Sequence, residues 1–181
     1  QSRARLVVRA AGVVQGQQEG ASVPVHLVSR AAPTFVTLIR PPVVVLPGSL
    51  ATHGPVPPIG LAYIASAVRD AGHQVQFIDG PGEAIQQWVE FETPMGVLHR
   101  IGLSLEEIVE RVDPRATIIG LTNMFQHEWP QVRDLVALLR QRFPEAFIVL
   151  GGENPTAFWP WIMEEAPAVA APEPEPEPEP V

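Results

Sequence analysis

The repetition of short apolar segments between stretches of helical periodicity constrains the fold most strongly. Four segments rich in β-branched and aromatic residues lie at 35–39, 74–78, 116–121 and 146–150. Strands that are apolar along most of their length are buried on both faces, as in parallel sheets covered by helices. The sequence therefore predicts a doubly wound α/β fold, with a parallel sheet and helices on both of its faces.

The segments between these strands have the spacing and end signals of helices. The predicted helices cover residues 59–71, 104–112 and 130–143, and a fourth begins at Asn154. Gly72 follows the first helix because glycine adopts the left-handed backbone of a helix end at little cost. The second helix opens with a Ser-x-x-Glu capping box, which satisfies free amide groups at a helix start. Strands and helices thus alternate along the chain.

Composition sets the expected domain boundaries. Residues 1–33 show no persistent period and predict a poorly ordered arm. Residues 166–181 alternate proline with alanine or glutamate, which predicts an extended, disordered tail. The folded α/β domain is therefore expected over residues 34–165.

One internal stretch, residues 80–102, has no clear period. It predicts a turn of helix near residues 83–89. An irregular excursion through Pro94 and Gly96 is expected to follow, because neither residue favours the interior of a regular element.

The amino-acid counts exclude several classes of chemistry. The 181 residues include no cysteine, and all 12 basic residues are arginine. Without cysteine the chain has no disulfide, thiolate nucleophile or cysteine-held iron–sulfur cluster, and without lysine it has no P-loop lysine or Schiff base. The formal net charge of −8 argues against nucleic acid as a partner. No apolar stretch has the length of a membrane span and no signal peptide is evident, so a cytoplasmic location is expected.

The loops after the strands form the candidate site, because doubly wound sheets bind ligands outside the carboxyl ends of their strands. These loops are residues 40–58, 122–129 and 151–156. The first lacks the glycine-rich fingerprint of dinucleotide-binding proteins, which disfavours nicotinamide and flavin dinucleotides. Their small polar, proline, glycine and aromatic residues are His53, Pro57, Pro58, Thr122, Asn123, Met124, Phe125, Gly151, Gly152 and Asn154. This lining suits a large, flat, partly apolar ligand, although the two glycines could equally admit the following helix.

Five motifs in order along the chain carry a family resemblance. They are Pro57-Pro-Ile-Gly-Leu-Ala-Tyr-Ile64, Ala71-Gly-His-Gln-Val75 with Ile78-Asp79, Ser104-Leu-Glu-Glu-Ile108, Gly120-Leu-Thr122 before Trp129-Pro130, and Gly151-Gly-Glu-Asn-Pro-Thr-Ala157. Together they resemble the N-terminal cobalamin (vitamin B12)-binding domain of B12-dependent radical SAM proteins. The resemblance covers residues 35–165.

The resemblance implies a flavodoxin-like sheet with the corrin over the carboxyl ends of the strands and the nucleotide tail beside the sheet. The residues that it places at the corrinoid are Pro58, Gly60, Thr122, Asn123, Met124, Phe125, Gln126, Gly151, Gly152, Glu153, Asn154, Pro155 and Thr156. The Asp-x-His-x-x-Gly motif that supplies a lower axial histidine in other B12 proteins is missing. Base-off binding without a histidine ligand is therefore implied, and no residue of the chain is assigned as a metal ligand.

The chain also departs from the family pattern. It ends near residues 167–169, where the family continues into a fifth strand, and it lacks the three-cysteine cluster domain. The chain is therefore expected not to be catalytic alone. It would serve a radical SAM domain, with its iron–sulfur cluster and S-adenosylmethionine, in methyl transfer or a radical rearrangement. Two alternatives stay open, namely an interaction module without cofactor and a truncated fragment.

Other residues have structural interpretations beside functional ones. The pair His127-Glu128 predicts a solvated loop rather than a metal site, since no second histidine follows one turn later. His53 could face the corrin, whereas His73 is expected to be structural. Asp79 is expected to cap a turn, and Trp129 is the tryptophan with the best placement for a ligand contact.

Overall fold

The computed structural model describes residues 33–47, 56–93 and 96–166. All of them belong to one unit that spans residues 32–181. The predicted arm, the predicted tail beyond Ala166 and His53 lie outside the described residues.

Seven strands and five helices follow one another along the described chain. The strands are β1 (Phe35–Arg40), β2 (Val43–Val45), β3 (Gln74–Asp79), β4 (Trp88–Thr93), β5 (Gly96–Ile101), β6 (Ile118–Thr122) and β7 (Phe147–Gly151). The helices are α1 (Ile59–Asp70), α2 (Gly80–Glu83), α3 (Leu105–Arg111), α4 (Trp129–Arg142) and α5 (Glu153–Glu165). All four predicted strands are present, and the third begins at Ile118, two residues later than its apolar run.

A parallel sheet with the strand order β3-β1-β6-β7 forms the centre of the fold. This is the order of the first four strands of a flavodoxin-like sheet. The predicted doubly wound α/β class is therefore confirmed. The sheet places β1 and β6 side by side at its centre, with β3 and β7 outside them.

Helices cover the two faces of this sheet unequally. On one face, α3 and α4 pack on the inward side chains of all four strands in a core that includes Ile119, Leu135 and Ile148. On the other face, Leu61 and Ala65 of α1 pack against Val36 and Leu38 of β1. The helix α5 packs through Ile162 against the start of α4.

Two of the end signals read from the sequence are present where they were predicted, and the third is shifted. The Ser104 hydroxyl accepts a bond from the Glu107 amide, and the Glu107 carboxylate accepts one from the Ser104 amide. Gly72, with φ of +91°, follows the end of α1. The helix α5 begins at Glu153 rather than at the predicted cap, so Asn154 lies within its first turn.

The prediction for residues 80–102 is wrong, because this stretch contains a second sheet. In place of a helical turn near 83–89, α2 ends at Glu83 and β4 starts at Trp88. The strands β4 and β5 pair antiparallel as a hairpin, and β2 pairs with β5. The residues of the short strand β2 lie 54 or more positions from their partners in sequence, with Val45 and His99 the nearest pair. No local period can reveal such a pairing.

Leu135 of α4 provides a test of the main core, because its side chain is fully buried between helix and sheet. Replacing Leu135 with Ala is expected to lower the free energy of unfolding by about 2–5 kcal/mol, through lost burial and a residual cavity. Urea unfolding followed by circular dichroism measures this change. The matched control is Val149→Ala at a side chain that is 38% exposed, where a loss below about 1 kcal/mol is expected. Equal losses for both variants would contradict this description of the core.

Candidate functional site

The strand order reverses between β1 and β6, which creates a crevice at their carboxyl ends. From β1 the chain passes to β3 on one side, and from β6 it passes to β7 on the other. Connections that leave two neighbouring strands in opposite directions open a crevice between them, where ligands of α/β proteins bind. Arg40 ends β1 and Thr122 ends β6, so these residues border the crevice.

The loops that follow β6 and β7 are bound to each other by Asn123 and Asn154. The Asn123 amide donates to the Gly151 carbonyl oxygen at 2.8 Å, and the Asn154 amide donates to the Asn123 carbonyl oxygen at 3.3 Å. Their side chains also meet, because Asn154 Nδ2 donates to Asn123 Oδ1 at 2.6 Å. Asn123 Nδ2 in turn donates to the Phe125 carbonyl oxygen at 3.0 Å. The two loops therefore form one bonded layer.

This layer separates the predicted site residues into buried and exposed groups. Asn123, Asn154 and Pro155 are buried. The side-chain nitrogens of the two asparagines and Asn123 Oδ1 bond within the protein, whereas Asn154 Oδ1 is buried without a partner. The exposed members are Met124, Phe125, Gln126, Gly151, Glu153 and Thr156, while Thr122 and Gly152 are half-buried. Pro58 and Gly60 lie at the start of α1, where Pro58 is the residue before the first turn. Among the residues after β6, Met124 and Phe125 present apolar side chains that are 47% and 56% exposed.

The two adjacent glycines at the end of β7, Gly151 and Gly152, have different surroundings. Gly152 has φ of +109°, and a Cβ there would lie 2.5 Å from the Asn123 carbonyl oxygen. Its need for glycine thus comes from backbone conformation and from the neighbouring loop. A Cβ on Gly151 would meet no atom within 4 Å, so the space beside Gly151 is open.

Gly151 is the last residue of β7 and lies on the face of the sheet that carries α1. On this face Thr122 is paired with Gly151, Gly120 with Val149, and Ile118 with Phe147. Phe147 and Val149 are 41% and 38% exposed, although both belong to the central sheet. The start of α1 adds the exposed apolar side chains Ile59, Tyr63 and Ile64. The face of β7 on this side is therefore open and partly apolar, and it ends at Gly151.

The segment after β1 is attached to the loop after β6 by residues that the sequence analysis did not single out as functional. Gln131 Nε2 donates to the Pro42 carbonyl oxygen, and His127 Nε2 donates to the Val44 carbonyl oxygen at 3.1 Å. The His127 ring also stacks on Phe125, with ring centroids 5.6 Å apart. The pair His127-Glu128, which was predicted to be a solvated loop, thus connects β2 to the loop after β6. No local motif distinguishes these residues, because their partners lie more than 80 positions away.

Three charged residues near the crevice, Arg40, Asp79 and Glu128, are paired or partly buried. Arg40 contacts Asp79 at 3.3 Å and donates to the Val56 carbonyl oxygen at 2.8 Å. Asp79 makes no side-chain cap bond, contrary to its expected role. Burial raises the pKa of Glu128 above its ordinary value of 4.5, and the charge of His127 offsets part of this rise.

Trp129 and His73 both bond within the protein. Trp129 does not reach the crevice, because its ring is only 1% exposed and its Nε1 donates to Glu165 Oε2 at 2.8 Å. His73 is structural as expected, since its Nδ1 lies 2.7 Å from Thr34 Oγ1. Within residues 33–47, 56–93 and 96–166, no three or more acidic or histidine side chains cluster as a metal site. No helix of this described part has the length and apolar character to cross a membrane.

Comparison with known proteins identifies the family of this chain. The family model described as "B12 binding domain" matches residues 49–179. The chain belongs to the B12-binding domain family. This match covers most of the parallel sheet and every loop of the candidate site beyond residue 48. The cofactor of this B12-binding domain is cobalamin, as the sequence resemblance implied.

A curated relative is the anaerobic magnesium-protoporphyrin IX monomethyl ester cyclase of Synechocystis sp., which is 31% identical over 137 residues. The aligned region covers 74% of this chain but 23% of the cyclase. The B12-binding domain described here therefore corresponds to less than a quarter of that relative. No solved structure matches the chain.

The residues at the crevice fit a corrinoid on observations of the structure itself. A corrin is broad, partly apolar and edged with amide groups, and it needs an open surface rather than a deep pocket. The open space at Gly151 and the exposed Met124 and Phe125 provide such a surface. The bonded asparagine layer beneath them keeps that surface in place.

Gly152 provides a test of the bonded layer. Gly152→Ala is expected to lower the free energy of unfolding by about 2 kcal/mol or more, because alanine disfavours a positive φ and its Cβ would contact the Asn123 backbone. Thermal or urea unfolding of the apoprotein measures the loss. The neighbouring Gly151→Ala is the control, and its stability is expected to stay within about 1 kcal/mol of the unaltered chain. A reversed order of the two variants would refute the assignment of the two glycines.

The raised pKa of Glu128 predicts a specific pH dependence of the free energy of unfolding. A carboxyl whose pKa is raised in the folded state binds its proton more tightly there, so its contribution to stability is present at low pH and is lost as pH rises through the raised pKa. Relative to Glu128→Gln, the unaltered chain is expected to lose stability as pH rises from about 4.5 to 7. Unfolding curves across this range measure the difference. A difference that is constant with pH, or that changes in the opposite direction, would show that burial does not control this carboxyl.

Proposed function

We propose that the chain holds cobalamin base-off across the carboxyl ends of β6 and β7, as one part of a B12-dependent radical SAM protein. The observation that carries the proposal is the open, glycine-floored surface at Gly151, fixed by bonds between the two loops. The proposed binding residues are Pro58, Gly60, Thr122, Asn123, Met124, Phe125, Gln126, Gly151, Gly152, Glu153, Asn154, Pro155 and Thr156.

Within this set we assign different roles to exposed and buried residues. Met124, Phe125 and Thr122 offer apolar and hydroxyl contacts to the corrin, because they lie at the surface of the bonded layer. Asn123 and Asn154 act beneath them and hold the loops in place. The face of β7 from Val149 to Gly151 is the assigned path for the nucleotide tail, since it combines open space at Gly151 with an exposed apolar side chain. When bound, cobalamin supplies a cobalt centre for methyl transfer or for redox chemistry.

The described histidines bear on the proposed absence of a protein ligand to the cobalt. Each histidine in the described segments already uses a ring nitrogen within the protein. His127 donates to Val44, His73 meets Thr34, and His99 lies 3.2 Å from Glu90. Of these three histidines, His127 lies in the loop after β6, and its ring stacks on Phe125. This arrangement favours a corrinoid without a protein histidine on the cobalt.

The radical SAM partner is proposed from the relative and from the chain's own composition. The cyclase that matches is about four times as long as the region shared with this chain. The 181 residues given contain no cysteine for an iron–sulfur cluster. We therefore assign the cluster, S-adenosylmethionine and the reaction itself to a radical SAM domain outside these residues. The expected cytoplasmic location stays a prediction.

Hydroxocobalamin binding tests the proposed site directly. Absorbance titration of the full chain, followed by gel filtration, is expected to show a corrinoid that co-elutes with the protein and has a base-off spectrum. Gly151→Leu is expected to weaken binding by tenfold or more, because its side chain would fill the open space. The control Ala137→Leu adds the same bulk to an exposed position of α4 and should leave binding within twofold.

Three results would count against the proposal. A folded chain that elutes without corrinoid would overturn cobalamin binding by this segment. Equal affinity of the unaltered chain and Gly151→Leu would move the corrinoid away from β7. A base-on spectrum, or one that changes in His127→Gln, would overturn the base-off assignment.

A further inference from the structure

Phe125 is an exposed aromatic residue of the candidate site whose backbone is fixed in place. Its carbonyl oxygen accepts one bond from Asn123 Nδ2 at 3.0 Å and a second from the Glu128 amide at 3.1 Å. Phe125 nevertheless keeps 56% of its surface exposed. An aromatic side chain on a fixed backbone loses little conformational entropy when a ligand covers it.

The ring of Phe125 is held by the ring of His127. The two rings are stacked, with their centroids 5.6 Å apart and their planes inclined by 21°. The exposed area of the phenyl ring therefore lies largely away from the imidazole. A flat apolar surface of this kind packs well against a flat, partly apolar ligand.

The His127 ring is in turn attached to the small antiparallel sheet, which has the strand order β2-β5-β4. His127 is exposed, so burial does not fix its ring. Its Nε2 donates instead to the Val44 carbonyl oxygen at 3.1 Å. Val44 is only 4% exposed and belongs to β2, which pairs with β5. The small sheet thus supplies the fixed point for the imidazole, although none of its residues belongs to the proposed corrinoid site.

We propose that His127 is a positioning residue that holds the Phe125 ring as a flat platform for the corrin. His127 acts through Phe125 and not through a bond to the cobalt. The small antiparallel sheet supports the platform, because Val44 anchors the His127 ring and that ring stacks on Phe125. This inference rests on the proposed function, since the platform serves the same corrinoid.

The stacked pair itself is tested in the apoprotein. In the full chain with isotopically labelled aromatic rings, nuclear Overhauser contacts between the ring protons of Phe125 and His127 are expected without any corrinoid. They should weaken in Val44→Pro only if that variant disturbs β2, so the unaltered chain is the sample that decides. Absence of these contacts in the folded chain would overturn the proposal.

A double-mutant cycle tests whether His127 acts through Phe125. Absorbance titration of the full chain with hydroxocobalamin is expected to show about tenfold weaker binding for Phe125→Ala and about fivefold weaker binding for His127→Gln. The two substitutions combined should bind within about twofold of Phe125→Ala alone, because no phenyl ring is left to position. The spectrum of the bound corrinoid should stay the same in His127→Gln. Phe125→Leu, which keeps apolar bulk without a ring, provides a second cycle if Phe125→Ala does not fold.

His73→Gln is the matched control, because it makes the same substitution at another bonded histidine. His73 lies beside Thr34 in the turn before β3, at the opposite end of the sheet from the crevice. Its affinity for hydroxocobalamin should stay within about twofold of the unaltered chain, and circular dichroism verifies the folding of each variant.

The outcomes separate this inference from the proposed function. Losses that multiply to about fiftyfold in the double variant would show that His127 does not act through Phe125. Equal losses for His127→Gln and His73→Gln, or a changed corrinoid spectrum in His127→Gln, would also overturn the positioning role. A folded chain that shows the ring contacts but binds no hydroxocobalamin would instead overturn the proposed function, and the inference with it.

Discussion

The bonds between Asn123 and its partners after β7 hold the ligand-facing end of this fold together. Two parallel strands end side by side, and their loops would separate without a connection, since neighbouring strands share no bonds beyond their last residues. The Asn123 amide reaches Gly151, and the Asn154 amide and side chain reach back to Asn123. Because loops ordered in advance lose little entropy on binding, such a layer lowers the cost of holding a large cofactor. In the proposed complex, the exposed residues above it contact the corrin without rearrangement.

The parallel half of the fold was predictable from sequence because each of its signals is local. The strands around Val36 and Ile148 are apolar runs bounded by turn residues, and the Ser104 capping box marks a helix start within four residues. The small sheet was not predictable in this way. Its short strand β2 consists of three residues that pair with residues beyond position 98, and a three-residue run has no detectable period. Only the fold brings β2 next to β5.

At the candidate site, the sequence indicated loops that the structure brings together, but not the different roles of the residues within them. Asn123 and Phe125 are both plausible ligand contacts from residue type. Asn123 is buried and donates to the Phe125 carbonyl oxygen, however, whereas the Phe125 side chain is exposed. Gly151 and Gly152 look equivalent in sequence, and only the backbone angles and neighbouring atoms separate open space from close packing. Gln131 carried no sequence signal for its bond to Pro42, because that contact joins elements that are 89 residues apart. Residue type thus indicates chemistry, whereas tertiary contacts decide which groups remain available for it.

The junction between the two sheets has a mechanical consequence. Only Pro41 and Pro42 separate β1 from β2, and both are buried. Proline fixes φ, so this connection has little freedom to bend. Close packing supports the same joint, because a Cβ on Gly102 would lie 2.6 Å from the Gly80 carbonyl oxygen and one on Gly80 would lie 2.9 Å from that of Arg40. The small sheet is therefore rigidly attached to the parallel sheet, and its surface keeps a constant distance and orientation relative to the candidate crevice.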